Sequence, residues 1–76
     1  MQTTVPELED VLDFLNIGEI SRHYFHRSPS WLYHKIKGDI VNGRPSEFKP
    51  DELDRLADAL RNLADSLNHT ADRLNP

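Results

Sequence analysis

The chain has 76 residues and a mass of 8.8 kDa, which is the size of one small domain over residues 1–76. It contains no cysteine, which excludes disulfide bonds, thiolate catalysis and thiolate metal sites. No stretch approaches the roughly 18 consecutive apolar residues of a membrane span, and the acidic N-terminus is unlike a signal or transit peptide. We therefore expect a small cytoplasmic binding module that is not an enzyme and requires no membrane.

The net charge of −4 is unevenly distributed along the chain. Residues 1–20 carry five acids and no base, residues 21–49 carry six bases and two acids, and residues 50–76 carry six acids and three bases. A basic segment between acidic ends produces a local positive field, which matters more to a partner than the net charge. This pattern indicates either a surface that faces an anion such as nucleic acid, or an ordinary solvated basic surface.

The first 24 residues predict two helices. Thr4 and Glu7 have the spacing of a capping box, in which each side chain bonds a free backbone N–H. Apolar residues then repeat at helical spacing at Leu8, Val11, Leu12 and Leu15. Asn16 would end this helix and cap a second helix over about residues 17–24, with Glu19 again three residues later.

The next segment predicts a third helix that runs from Ser28 to about Lys37. Ser28 suits the N-cap, Pro29 suits the first helical position, and Gly38 suits the left-handed residue that ends a helix. Its inner face would consist of Trp31, Leu32 and Ile36. Asn42-Gly43 then signals a turn, so residues 39–49 should form an ordered loop or a small hairpin that places Phe48 in the core.

A long C-terminal helix is predicted over residues 50–74. Leucines recur every seven residues at Leu53, Leu60, Leu67 and Leu74, with Leu56, Leu63 and Thr70 offset by three. This is a heptad pattern, on a helix of about 37 Å. Either the helix simply backs the others, or its end pairs with a second copy. We expect a homodimer through Leu60, Leu63, Leu67 and Leu74.

Two stretches resemble a helix-turn-helix motif. Gly18-Glu19-Ile20-Ser21-Arg22-His23-Tyr24 resembles its first helix, with Ser21 at the small position where the helices touch, and residues 28–36 resemble the recognition helix. Gly38 and residues 53–60 are similar to the end of a Cro/C1-type (lambda-repressor-like) domain. This resemblance implies an all-α domain of four helices with a helix-turn-helix. The connection Phe25-His26-Arg27 departs from the motif, because it lacks the usual glycine and is one residue longer.

The chain also resembles a family of small bacterial proteins known as a domain of unknown function. That resemblance is carried by Ser30-Trp31-Leu32-Tyr33, by Val41-Asn42-Gly43-Arg44-Pro45 and by Phe48, and it covers about residues 17–75. It implies no activity.

The helix-turn-helix resemblance implies a regulator or mobile-element accessory factor that binds double-stranded DNA through residues 28–37. Side chains that would face the major groove are Ser28, Ser30, Tyr33, His34 and Lys37. Side chains that would contact phosphates are Arg27, Lys35 and Arg44. If Lys35, Lys37 and Arg44 do not share one face, this hypothesis loses its main support.

The alternative function is a dimeric helical adaptor that binds an acidic partner protein and has no nucleic-acid role.

His23 and His26 have a spacing found in metal sites, but no cysteine or nearby acid completes a ligand set, so we expect no metal, no cofactor and no catalytic residue. Trp31 could stack on a base, although its neighbours Leu32 and Ile36 favour a core position.

Overall fold

A computed structural model describes residues 5–76 and shows a mostly helical chain with one small hairpin. In chain order the elements are two 3₁₀ turns (Pro6–Leu8 and Leu12–Phe14), α1 (Ile17–Ile20) with a π-helical turn (Ser21–Phe25), α2 (Pro29–Lys37), the strands β1 (Ile40–Val41) and β2 (Arg44–Pro45), and α3 (Pro50–Leu74). None of the helices in these residues is long and apolar enough to cross a bilayer.

The first predicted helix is wrong, so the domain has three helices rather than four. In place of that helix the segment forms two 3₁₀ turns, whose hydrogen bonds run from the N–H of residue i+3 to the carbonyl of residue i. Examples are Leu8 N–H to Val5 O (3.0 Å) and Phe14 N–H to Val11 O (3.0 Å). Short helices depend on burial of a full apolar face, and here only Leu8 is buried while Val11 and Phe14 are exposed. A three-residue repeat also fits 3₁₀ turns. The capping box predicted at Thr4 lies outside the described residues.

The second predicted helix is confirmed and is one residue longer than expected. The Asn16 side chain accepts a hydrogen bond from the Glu19 N–H (3.2 Å), which caps α1 as predicted. The helix continues as a π-helical turn that ends at Phe25, whose side chain is buried. His26 then takes the left-handed conformation (φ 55°), which a non-glycine residue adopts only at some cost.

The predictions for α2 are confirmed at both ends. Ser28 precedes Pro29 in extended conformation, and Gly38 ends the helix with φ 70°. Leu32 and Ile36 are fully buried, whereas Trp31 is half-buried and packs on Phe25 with ring centroids 5.0 Å apart. The Ser28 side chain does not cap the helix as expected, because its Oγ contacts Ser30 Oγ (3.2 Å) instead.

The loop that follows α2 forms the expected small hairpin. β1 and β2 pair antiparallel, with Ile40 opposite Pro45 and Val41 opposite Arg44. Asn42 (φ 53°) and Gly43 (φ 77°) occupy the two-residue turn, and positive φ at both positions matches the twist of the paired strands. Phe48 is half-buried against the core, as predicted.

The core lies where α1, the π-helical turn, α2 and the first half of α3 meet. Its buried apolar residues are Leu8, Ile17, Ile20, Phe25, Leu32, Ile36, Leu56 and Ala59. Beyond Leu63, which is half-buried, every residue of α3 is exposed. The molecule is accordingly elongated, with extents of 51 × 24 × 20 Å, and the end of α3 projects from the domain.

Candidate functional site

Ser21 fixes how α2 sits against α1. It is the one buried polar residue among residues 5–76, with no exposed surface, and its Oγ donates a hydrogen bond to the backbone oxygen of Ser28 (2.7 Å). The Ser21 carbonyl in turn accepts from the N–H of Arg27 (3.2 Å). The predicted contact of the two helices at Ser21 is therefore present, and it is made to the residue that precedes α2.

Gly18 provides a second close approach between these helices. A Cβ atom built at residue 18 would lie 3.3 Å from the Cβ of Pro29. Glycine is an unfavourable residue inside a helix, and this contact with the first turn of α2 gives a packing reason for its presence.

The face of α2 opposite the core carries Ser30, His34 and Lys37. Ser30 and Lys37 are exposed, and His34 is half-exposed with its Nδ1 bonded to Asp39 Oδ2 (3.0 Å). The Lys37 ammonium lies 5.8 Å from the centre of the Tyr33 ring. We call Ser30, His34 and Lys37 the outer face of α2; its groups are hydroxyl, imidazole and ammonium, all able to donate hydrogen bonds to an anion.

Lys35 does not share that face. At about 100° per residue, Lys35 and Lys37 point about 160° apart, and the Lys35 side chain is only 14% exposed. Its ammonium donates to Glu52 Oε1 (2.7 Å) and to the backbone oxygen of Glu47 (2.9 Å). The expected common face of Lys35, Lys37 and Arg44 is therefore absent, because Lys35 connects α2 to the start of α3. The DNA-binding hypothesis loses the support that this face would have given.

Two other predicted bases are exposed near the ends of α2. The Arg27 guanidinium lies 5.5 Å from the Trp31 ring just before the helix begins. Arg44 is exposed on β2, next to the hairpin turn. Ser28, also predicted to face DNA, is exposed at the N-terminus of α2.

Tyr33 lies at an acidic edge of α2. Together with the segment before α1 it lines a cleft of about 360 Å³, whose other lining residues are Glu9, Leu12, Asp13, Ile17 and Ile36. The carboxylates of Glu9 and Asp13 disfavour a phosphate at this edge. Of the predicted groove-facing residues, Tyr33 is therefore placed least well for an anionic partner.

The chain segment that carries the outer face contains few acids. Residues 20–46 contain five lysines and arginines, and Asp39, bonded to His34, is the single acid in that range. The other histidines lie elsewhere: His23 Nε2 is 3.3 Å from Glu19 Oε2, a carboxylate that also pairs with Arg22, and His26 is exposed. Within residues 5–76, no three histidine or carboxylate side chains are grouped to hold a metal ion.

The contacts of Glu52 were not expected from the sequence. Burial raises the pKa of the Glu52 carboxyl, but hydrogen bonds from Lys35 and from the Lys49 N–H (2.9 Å), together with both positive charges, lower it below the usual 4.5 overall. The only sequence signal was the Lys49-to-Glu52 spacing of three, which is typical of a helix start. Lys35 and Glu52 are 17 residues apart, so their pairing depends on the tertiary fold.

This ion pair predicts acid sensitivity. Because the pKa of Glu52 is lower in the folded state than in the unfolded state, its ionised carboxylate stabilises the fold at pH values above the unfolded-state pKa. This stabilisation is lost as pH falls through the folded-state pKa. We expect Glu52→Gln to lower the free energy of unfolding by about 1–2 kcal/mol at pH 7, and the difference from the parent to disappear as pH falls through the folded-state pKa of Glu52. Urea unfolding at pH 7 and at a series of lower pH values measures this. Asp51→Asn, exposed in the same turn, is the control, and an equal loss in both variants would contradict the assignment.

The structure thus defines a small, mostly helical domain with a hairpin between its second and third helices. Residues 5–74 match a family described as Domain of unknown function (DUF5053), and the chain belongs to that family. This confirms the resemblance to a domain of unknown function and extends it toward the N-terminus. No curated protein and no solved structure matches the chain, and the family match carries no link to Cro/C1-type domains.

Proposed function

We propose that the chain is a small DNA-binding protein, a transcriptional regulator or mobile-element accessory factor, that lays the outer face of α2 against duplex DNA. In this proposal α1, the connection through His26 and α2 act as a helix-turn-helix of the lambda-repressor-like type. The observation that carries it is the acid-poor outer face of α2, held in a fixed orientation by the buried hydrogen bond from Ser21 to Ser28.

The side chains of the outer face suit the edges of base pairs in the major groove. The hydroxyl of Ser30 and the imidazole of His34 can bond base edges or phosphates. Asp39 holds one nitrogen of His34, which leaves the other nitrogen free to turn outward. Ser28 lies beside Ser30 at the helix start, where backbone N–H groups also favour a phosphate.

The phosphate contacts differ from those expected from the sequence alone. Lys35 is committed to Glu52, so the proposed contacts are Arg27 before α2, Lys37 near its end and Arg44 on the hairpin. Arg27 precedes the outer face in the chain and Arg44 follows it, and the three bases would position the helix without reading sequence. Lys35 contributes indirectly, because it holds α2 against α3.

We further propose that two copies associate through the projecting end of α3, using Leu63, Leu67 and Leu74. Leu60, which the sequence also predicted in this interface, packs against the core of its own domain. Leu67 is 69% and Leu74 81% exposed on one stripe of this helix, and exposed leucines in such a row are costly unless covered. A dimer would bring two α2 helices to two half-sites of one duplex.

The test is fluorescence anisotropy of a random duplex at low salt, with the full-length protein. We expect micromolar binding, and we expect Lys37→Glu to weaken it about tenfold, since one phosphate contact is lost and a repulsive charge is added. Arg61→Glu is the matched control, because Arg61 is 76% exposed on α3 away from the proposed surface. An unbound duplex, or equal losses in the two variants, would contradict the proposal.

A protein-docking adaptor is the second candidate. It is favoured by the net charge of −4 and by the exposed aromatic side chain of Phe14, neither of which DNA binding uses. It becomes the better account if the parent protein leaves the duplex unbound.

A further inference from the structure

An apolar groove lies on the side of the domain where α3 leaves the core. Its volume is about 280 Å³, and its apolar lining consists of Phe14, Leu15, Ile20, Tyr24, Leu63 and Leu67. Asn16, Glu19 and His23 form the polar rim. Phe14 is 86% exposed at its edge, although a side chain of this size normally contributes strongly when it is buried.

The groove and the leucine stripe of α3 form one continuous apolar surface. Leu63 and Leu67 line the groove, and Leu74 follows two turns later on the same stripe. Residues 64–74 form about three helical turns in which every residue is exposed, and a helix of this length is marginal in water without a packing partner. A partner that covers the stripe therefore also reaches the groove.

We propose that this groove receives the C-terminal end of α3 from a second copy of the chain, in an antiparallel pair. The inference deepens the self-association proposed above and rests on it. If the pair is centred between residues 68 and 69, Leu74 of one copy lies opposite Leu63 of the other, and Thr70 lies opposite Leu67. Leu74 then inserts beside Phe14, and by symmetry both grooves are filled.

A parallel pair covers the same surface less well. In a parallel arrangement each Leu74 meets its own equivalent, and both grooves stay open beside Phe14. A parallel pair also cannot extend its contact toward the N-terminus of α3. Leu56 is buried in its own domain, and Leu60 and Leu63 are partly buried there. Only the antiparallel arrangement buries Phe14, Leu67 and Leu74 together.

The groove rim carries charges of both signs. His23 on the rim and Arg22 beside it both lie against the Glu19 carboxylate. Arg73 of the second copy would approach Glu19. Asp58, Asp65 and Asp72 recur every seven residues on the opposite face of α3, so they do not meet across the pair.

Cysteine cross-linking tests the orientation, since the natural chain contains no cysteine. Sedimentation of the parent protein first establishes whether it dimerises. Pro76→Cys is then mixed with His23→Cys under oxidising conditions, and we expect a mixed disulfide at least tenfold more abundant than the Pro76→Cys homodimer. Asp58→Cys, on the opposite face of α3, replaces His23→Cys in the control mixture.

A dimer in which Pro76→Cys pairs with itself is a parallel pair and overturns this inference while leaving self-association intact. A monomeric parent overturns both, and the DNA-binding proposal is then tested separately by Lys37→Glu.

A second measurement, which needs no introduced cysteine, tests whether the second copy occupies the groove. Phe14→Ser should weaken self-association at least tenfold and leave the fold intact, because Phe14 is mostly exposed. Ile40→Ser is the matched control, since Ile40 is 74% exposed on the hairpin. If the two variants dimerise alike, the groove is not part of the interface.

Discussion

Replacing Ser21 with leucine is expected to lower the free energy of unfolding by about 2–6 kcal/mol. Ser21 has no exposed surface, so the larger side chain overpacks the contact of α1 with α2, at a cost of about 1–3 kcal/mol. The loss of its hydroxyl also leaves the Ser28 carbonyl without this donor, at about 1–3 kcal/mol. A domain of this length has roughly 4–11 kcal/mol in total, so a large part of its stability would be lost.

Urea unfolding with circular dichroism measures this effect. Ser21→Ala removes the hydroxyl without overpacking and should cost about 1–3 kcal/mol. Ser30→Ala changes an exposed serine on α2 and should leave stability within about 0.5 kcal/mol of the parent. If Ser21→Leu unfolds at the same urea concentration as the parent, Ser21 does not fix the packing of the two helices.

Leu67→Asp is expected to reduce affinity for duplex DNA about 100-fold at low salt. Leu67 is 69% exposed, so the change should leave the domain folded while placing a charge in the proposed interface. A monomer loses the second half-site, and linking two sites typically raises affinity by about 10²–10⁴. Asn68→Asp adds the same charge one residue along and is the control.

The salt dependence of DNA binding distinguishes this result from simple charge repulsion. With Arg27, Lys37 and Arg44 on phosphates, a dimer makes about six contacts and should show a slope of log affinity against log salt near −5. Leu67→Asp should reduce the slope to about −3, because three contacts remain. A slope unchanged by Leu67→Asp would contradict the dimeric arrangement.

The elements with strong local signals could be predicted from the sequence. Ser28-Pro29 and Gly38 define the ends of α2, Asn42-Gly43 defines the hairpin turn, and the seven-residue leucine repeat defines α3. Each signal depends on residues a few positions apart, whose backbone preferences act before any tertiary packing. The outer face of α2 followed from the same reasoning, because Leu32 and Ile36 fix its opposite side.

The features that depend on tertiary packing could not be predicted. The stripe from Leu8 to Leu15 fits a helix and two 3₁₀ turns equally well, and only the extent of its burial decides between them. Lys35 lies on a side of α2 that the start of α3 covers. Its pairing with Glu52 could not be predicted, because the two residues are brought together only by the fold. The groove beside Phe14 likewise exists only because α3 passes the end of α1.

Amide chemical shifts, measured by NMR on the full chain during titration with a short duplex at low salt, test the central claim most directly. Binding through the outer face of α2 predicts that the largest shifts cluster over residues 27–38 and around Arg44, while amides near Phe14 and Asp58 change little. Shifts confined to the end of α3, or a spectrum unchanged at saturating duplex, would contradict it.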